Sequence, residues 1–267
     1  MTSTTVLALP APSGASATPP SMARIYALET WYELLKMLRQ PSYAVPTIGF
    51  PVMFYVLFGI LLGNRGSVKG INLAEYLIAS YGAFGVVGAA MFGFGVGIAA
   101  ERAQGWLLLK RVSPMPPAAL VGAKVVMSAT FGLIIICLMG LAGALFGHVR
   151  LTVSEWASLS LVLVLGNIPF CLIGLTIGFA VSPSAAPGIV NLIHLPMAFL
   201  SGLALPIETM PAALRTFAQA LPQYHLGQLA LGTIGLARDP DVVTHALALG
   251  VTTAIAAVAA TWAYRRA

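Results

Sequence analysis

The sequence has 267 residues, of which 58% are hydrophobic and only 8% are charged, and its net charge is +6. A soluble globular domain carries about a quarter charged residues, so there are too few polar side chains here to cover a water-facing surface. The composition therefore excludes a soluble enzyme and a disordered or nucleic-acid-binding chain, and it predicts a membrane protein whose basic residues follow membrane topology.

The N-terminal region predicts a tail followed by a helix that does not cross the membrane. Residues 1–21 are uncharged and lack the basic start and apolar core of a signal peptide, which indicates a disordered tail. Residues 22–40 have the periodicity of an amphipathic helix in the cytoplasmic interface. Its apolar side holds Ile25, Leu28, Tyr32, Leu35 and Leu38. This helix is either a simple anchor or a contact to a cytoplasmic partner, made through Glu29, Glu33 and Lys36.

Charged residues divide the rest of the chain into apolar runs. The uncharged runs 40–64, 76–100 and 125–149 each supply one span, because a helix needs about 20 apolar residues to cross a membrane. The 52-residue run 156–207 fits two helices, with a turn near Pro183. Residues 41–267 are therefore predicted to form a transmembrane domain of six helices, at about 44–63, 74–100, 118–147, 156–181, 186–205 and 242–264.

The distribution of Lys and Arg predicts the orientation of these spans. With the N-terminus in the cytoplasm, the inside segments hold nine Lys and Arg residues and the outside segments hold five. Basic residues concentrate on the cytoplasmic side of membrane proteins, so both termini are expected there.

Two segments between spans have the pattern of short helices that do not cross. Residues 101–117 are charged at both ends and apolar in the middle, where Trp106 precedes three leucines. A plain loop does not need these side chains, so we predict a cytoplasmic helix at about 101–114, with or without a partner. On the outer side, residues 206–240 contain four prolines and a short apolar pattern, which predicts a helix dipping into the outer leaflet as an exit lid or a structural cap.

Polar side chains are rare within the spans. Asn191 and His194 are three residues apart on the fifth predicted span, and intramembrane polar residues are functional candidates unless they bond each other or a backbone carbonyl. Spans without fixed charge favour an apolar or amphipathic substrate over a small ion, and no metal site is evident. GxxxG pairs, which pack within the bundle or at a dimer seam, occur at Gly59/Gly63, Gly93/Gly97, Gly143/Gly147 and Gly174/Gly178.

The cytoplasmic segment resembles the coupling helix of ABC-2 type transporter permeases. The matching residues are Glu101, Arg102, Gly105, Leu107, Leu108, Leu109, Ser113, Pro114, Gly122 and Lys124. Trp106 with the basic Lys110 and Arg111 resembles the branch that exports drugs and antibiotics. Residues 199–206, 210–211 and 221–224 are similar to the family's fifth span and outer re-entrant helices.

This resemblance implies an all-α membrane protein like the type V ABC exporters, with an interfacial helix, a coupling helix and an outer re-entrant segment between spans five and six. It implies a homodimer or heterodimer of permeases in the bacterial inner membrane, joined to two ATPase subunits that bind ATP and Mg²⁺. The implied coupling contacts are Glu101, Arg102, Gly105, Trp106, Lys110, Arg111, Ser113 and Pro114. Because spans two and five line the cavity in the family, the implied substrate path holds Met91, Phe92, Phe94, Asn191, His194 and Phe199.

Other functions fit the sequence less well. The chain has no Gly-x-x-x-x-Gly-Lys-Ser/Thr motif, so the ATPase of a pump must be a separate subunit. An intramembrane enzyme is disfavoured because His194 and Ser201 would lie about 10 Å apart along a helix, too far for a base and its nucleophile. An ion-coupled carrier would need more ionisable residues at mid-membrane than His194. An exporter of oligosaccharides or lipid-linked glycans is the closer alternative, although Gly- and Ala-rich spans favour drug or lipid cargo.

Overall fold

Helices account for all the regular secondary structure in the described part of the chain. The structure, a computed structural model, describes residues 21–62, 73–112 and 116–266, and these ranges contain no strand. Their α-helices are α1 (Met22–Leu38), α2 (Pro41–Phe54), α3 (Leu73–Ala103), α4 (Trp106–Val112), α5 (Pro117–Phe146), α6 (Val153–Gly166), α7 (Ile168–Ala180), α8 (Ala186–Leu200), α9 (Ala212–Ala218), α10 (Pro222–Gly232) and α11 (Val242–Arg266). Residues Tyr55–Leu62 continue α2 as a π-helix. The predicted all-α class is confirmed, while residues 1–20 of the predicted tail lie outside the described residues.

Within the described ranges, five helical stretches are long and apolar enough to cross a membrane. They are Pro41–Leu62, Leu73–Ala103, Ala118–Phe146, Val153–Ala180 and Val242–Arg266, and each coincides with a predicted span. The remaining predicted span, 186–205, is helical only over the 15 residues of α8, which rise about 23 Å and fall short of a hydrocarbon core about 30 Å thick. The helix ends early because Gly202 has a φ of +85°, a left-handed conformation that favours glycine and ends a helix.

The segment that contains α8 nevertheless runs along most of α3. At one end, the guanidinium of Arg102, near the end of α3, donates a hydrogen bond of 2.6 Å to the backbone carbonyl of Val181. At the other end, the hydroxyl of Tyr76, near the start of α3, donates over 3.2 Å to the carbonyl of Gly202. The chain from 181 to 202 therefore passes from one end of α3 to the other, as α8 and the turn that follows it.

Helix α3 lies at the centre of the bundle and packs against α2, α5, α7, α8 and α10. Small residues let α7 approach it closely: a Cβ atom on Gly174 would lie 3.0 Å from the Cα of Met91, and one on Gly178 would lie 2.8 Å from the carbonyl oxygen of Phe94. This GxxxG pair therefore packs within the bundle. Gly93, Gly97 and Gly143 of the other pairs also face side chains of the same chain, whereas Gly63 lies outside the described residues.

The predicted outer segment, 206–240, folds into the short helices α9 and α10. Helix α10 is largely buried, and it packs against α3, α6, α8 and α11. Leu226 of α10 lies against Gly166 at the end of α6, and Gly227 lies against Leu203. The segment is thus part of the helical bundle rather than a loose loop between the last two spans.

Candidate functional site

Four charged side chains from three helices meet at the end of α3 that leads into α4. Lys124 lies well inside α5, and its side chain is 0% exposed. Its ammonium group donates hydrogen bonds to the carboxylates of Glu33 in α1 and, over 2.9 Å, of Glu101 in α3. Lys36, one turn after Glu33, donates to the same two carboxylates. We call Glu33, Lys36, Glu101 and Lys124 the buried ion cluster.

The buried ion cluster balances its own charge. Two carboxylates face two ammonium groups, and the side chains of Glu33 and Glu101 are almost fully buried. A lone ammonium group inside an apolar helix would cost on the order of several kcal/mol of desolvation, which hydrogen-bonded carboxylates offset. Burial acts to lower the pKa of the half-exposed Lys36, but Glu101 and Glu33 outweigh it, so that this pKa is raised. Among the described groups, two positive and two negative charges therefore connect α1, α3 and α5.

The buried ion cluster lies directly before a sharp turn into α4. Helix α3 ends at Ala103 and α4 begins at Trp106. Between them Gly105 has a φ of +76°, a left-handed conformation that favours glycine. The predicted helix 101–114 is thus divided: residues 101–103 complete α3, and α4 is a separate short helix.

Arg102, next to Glu101, also bonds within the chain. Its guanidinium donates hydrogen bonds to the backbone carbonyls of Phe179 and Val181, where α7 ends. The last carbonyls of a helix have no partner within that helix, so they accept from an external donor. The sequence predicted that Glu101 and Arg102 contact a partner subunit. In the structure their charged groups bond to Lys124 and Lys36 and to the end of α7, and the contact with a partner stays a prediction.

Three apolar side chains of α4 are exposed. Trp106, Leu109 and Val112 are 53%, 62% and 84% exposed. The predicted Lys110 and Arg111 lie in the same helix, whereas Ser113 and Pro114 lie outside the described residues. Adjacent exposed apolar side chains at one end of a bundle indicate a surface that binds another protein or lipid.

Helix α1 turns an acidic residue inward and aromatic residues outward. Glu33 is buried against Lys124, whereas Leu28, Trp31 and Tyr32 are exposed. Helical periodicity separates the two sides of α1, and Glu33, predicted to contact a cytoplasmic partner, lies on the side that faces the bundle. Glu33 faces inward because Lys124 needs a counter-charge. Of the other predicted contacts, Lys36 is half-exposed and Glu29 is partly buried.

The residues predicted along a substrate path do not share one surface. Met91 and Phe94 are fully buried in the core. Phe92 is partly buried, while Asn191 and Phe199 are exposed on α8. His194, the sixth of these residues, is buried, although it lies only one turn after Asn191 in α8. The structure thus divides the predicted set between the core and the outside of the chain.

His194 forms a polar contact between α8, α3 and α10. Its Nδ1 atom lies 3.0 Å from the Nε2 atom of Gln223, which donates because an amide N–H cannot accept. Its ring stacks on Phe84 of α3, with the centroids 4.7 Å apart. Sequence reasoning missed Gln223 and Phe84, because neither lies at helical spacing from His194. The available signal was a polar residue directly after Pro222 in a largely apolar segment.

Comparisons with known proteins cover most of these features. The sequence profile of the ABC-2 type transporter family matches residues 26–234. The chain is also 28% identical over 195 residues to YvfS of Bacillus subtilis (strain 168), a protein whose name describes a transport permease. That similarity covers 73% of this chain and 79% of YvfS. The residues matched by the family profile include the buried ion cluster, α4 and α8.

Proposed function

Because the chain belongs to the ABC-2 type transporter family, we propose that it is the membrane-spanning permease of an ABC exporter, driven by a separate ATPase that pushes on α4. The observation that carries this proposal is the buried ion cluster beside an exposed apolar helix. The cluster fixes Glu101 to α1 and α5, four residues before Gly105 in the turn. Trp106, Leu109 and Val112 then offer the surface on which the ATPase docks.

The bonds directly before the turn couple α4 to the bundle. Glu101 is held by Lys124 and Lys36, and Arg102 is held by the end of α7. A displacement of α4 therefore moves α1, α3, α5 and α7 together rather than bending one helix. In this proposal Glu101 and Arg102 position α4 and do not themselves contact the ATPase.

The proposed permease crosses the bacterial inner membrane six times, with both termini in the cytoplasm. The bonds from Arg102 to Val181 and from Tyr76 to Gly202 support a crossing by α8 and the turn after it, although α8 alone is short. The excess of Lys and Arg in the segments on the N-terminal side of the membrane supports the orientation. The buried ion cluster and α4 then face the cytoplasm, and α9 and α10 form the predicted re-entrant segment on the outer side.

The proposed cargo is an apolar or amphipathic compound, such as a drug, an antibiotic or a lipid. The described spans hold few charged groups, and those of the buried ion cluster neutralise one another. Such an interior offers no fixed charge to a small ion. Two copies of the chain and two ATPase subunits, which bind ATP and Mg²⁺, complete the proposed exporter.

The test is co-purification of the chain with the ATPase encoded beside it, followed by ATPase assays with amphiphiles and lipid-linked oligosaccharides. We expect the wild-type complex to hydrolyse ATP faster with amphiphiles. The W106A/L109A double substitution should lower both ATPase recovery and stimulation. The control is W31A, which removes a similarly exposed tryptophan from α1, and it should keep both.

Three results would contradict the proposal in different ways. If no ATPase co-purifies with the wild-type chain, the chain is not an ABC permease subunit. If W106A/L109A and W31A recover equal amounts of ATPase, the docking surface is not α4. If only lipid-linked oligosaccharides stimulate the ATPase, the cargo is a glycan.

A further inference from the structure

Two histidines meet where α9, α10 and α11 come together. The Nδ1 atoms of His225 in α10 and His245 in α11 lie 2.8 Å apart. The Nε2 atom of His225 is 2.9 Å from the backbone carbonyl oxygen of Gln219, directly after α9. The Nε2 atom of His245 is 3.2 Å from the carbonyl oxygen of Asp239. Each imidazole therefore has one nitrogen facing a carbonyl and the other facing its neighbour.

The number of protons on this pair follows from the partners. A carbonyl oxygen only accepts hydrogen bonds, so both Nε2 atoms must carry a hydrogen. A neutral imidazole has a single N–H, which leaves a lone pair on each Nδ1 atom. Two lone pairs at this separation repel each other, whereas one additional proton between them forms a charge-assisted N–H···N bond. With a second additional proton, both Nδ1 atoms would carry a hydrogen, and the two N–H groups would repel each other.

We infer that His225 and His245 share one proton and thereby form a clamp that holds α10 against α11. The clamp is closed when the pair carries a single positive charge. It loosens when the shared proton is removed at alkaline pH, and also when a second proton is added at acid pH. This inference depends on the contacts of the two imidazoles and is independent of the proposed transport function.

The charged groups around the pair favour one proton. The carboxylate of Asp239 lies 3.9 Å from Nε2 of His245, and Asp241 also interacts electrostatically with His245, so a single positive charge is compensated. Burial, and after it the neighbouring His245, holds the pKa of His225 below its usual value, whereas the hydrogen bond to Gln219 and the charge of Asp239 favour its protonated form. Tyr224 contacts both rings through their edges.

The other helices packed on α10 present titratable side chains that have bonds of their own. His194 of α8 bonds to Gln223, and Glu155 of α6 bonds to Thr152. Tyr76 and Tyr81 of α3 donate hydrogen bonds to backbone carbonyls.

A shared proton explains the contact between the two imidazoles better than a metal ion does. Among the residues that the structure describes, no group of three or more His, Cys, Asp or Glu side chains could hold a metal ion.

The experiment is hydrogen–deuterium exchange of the full chain in phospholipid nanodiscs at about pH 4.5, 6 and 8, because the pKa of His225 lies below the ordinary histidine value of about 6.5. Exchange rates are corrected for the intrinsic effect of pH. Peptides from α10 and the start of α11 should be most protected at the middle pH. Their protection should fall by about fivefold or more at the other two, as expected for the loss of one hydrogen bond.

Two variants separate the shared proton from a general effect of pH. In H225N the amide Nδ2 atom takes the place of Nδ1 and donates to His245 without titrating, so the loss of protection at alkaline pH should disappear. In the control H148N an exposed histidine with a φ of +51° is replaced by a residue that tolerates this conformation, so the wild-type profile should remain. Unchanged protection of α3 peptides shows that each variant is folded.

Several outcomes would overturn the inference. Protection of α10 and α11 that is flat with pH, or that changes in one direction only, is incompatible with a clamp closed by a single proton. Retention of the alkaline loss in H225N has the same consequence. If EDTA lowers the protection, or if Zn²⁺ restores it at alkaline pH, the two Nδ1 atoms hold a metal ion instead of a proton.

Discussion

The ammonium group of Lys124 and the carboxylate of Glu33 form a buried hydrogen-bonded ion pair between α5 and α1. Glu101 of α3 accepts from the same ammonium group, so a single lysine joins three helices beside the turn into α4. This relationship explains why α1 is fixed to the bundle. It also explains how an acidic residue on α1 is buried at all.

Removing the Lys124 ammonium group should destabilise the fold strongly. Lys124→Met keeps much of the side-chain volume but leaves Glu33 and Glu101 with Lys36 as their cationic partner in the buried ion cluster. We expect a loss of about 3–5 kcal/mol in the free energy of unfolding, as found when one partner of a buried ion pair is removed. Denaturant unfolding in detergent micelles measures this loss.

Two further variants test whether the stability lost by K124M comes from leaving buried carboxylates without a cation. The K124M/E33Q double substitution removes a charge of each sign, so it should recover a substantial part of the stability lost by K124M. Lys36→Met removes a half-exposed cation and should cost about 1 kcal/mol or less, because solvent screens its interactions. Equal losses for K124M and K36M would contradict the central position of Lys124.

The contribution of Lys36 should disappear in strongly alkaline solution. Its pKa is raised above the ordinary value of 10.5, with burial opposing the rise and Glu101 and Glu33 producing it. A group with a raised pKa in the folded state stabilises the protein fully below its unfolded pKa. That stabilisation is then lost as pH rises through the folded value. The difference in unfolding free energy between wild type and K36M should therefore be constant from neutral pH to about pH 10 and shrink above it. A difference that already shrinks near pH 8 would contradict this assignment.

Replacing Arg102 should loosen the end of α7. Its guanidinium bonds the carbonyls of Phe179 and Val181 at once, and the single ammonium of Arg102→Lys cannot reproduce this fork. We expect a loss of roughly 1–2 kcal/mol, allowing for partial exposure, with faster deuterium exchange confined to residues around 176–186. The control is R39K, which changes an exposed arginine after α1. Uniform acceleration of exchange throughout the chain would show global destabilisation instead.

The ends of the long helices could be predicted from the sequence because charged residues stay out of the hydrocarbon core. Span 74–100 corresponds to α3, 118–147 to α5, and 242–264 to α11. The shorter α8 could not be predicted, because residues 201–205 are as apolar as a helix would require. Hydropathy does not distinguish a helix from a turn whose carbonyls accept hydrogen bonds from tyrosines of α3.

The candidate site could be predicted in part. The resemblance identifies Glu101 and Lys124, whereas helical periodicity assigns Glu33 to a side expected to contact a partner. Helical periodicity sorts residues into two sides and does not say which side faces the bundle. The useful signal was Lys124, which lies well inside an apolar helix and therefore requires a carboxylate nearby. The pairing of His225 with His245 left no signal, since it joins two helices through a turn.

Close packing of α7 on α3 should make Gly178 intolerant of even one methyl group. In Gly178→Ala the new Cβ would lie 2.8 Å from the Cβ of Ile98 and from the carbonyl oxygen of Phe94, so α7 would have to move away from α3. Overpacking of this kind costs about 1–3 kcal/mol in the free energy of unfolding.

The matched control is Gly250→Ala in α11, where a Cβ atom meets nothing within 4 Å. Because alanine favours helix over glycine by about 1 kcal/mol, the control should be neutral or stabilising. Thermal unfolding in detergent, followed by size-exclusion chromatography, compares the two variants. If both shift the midpoint alike, the approach of α7 to α3 is looser than the structure indicates.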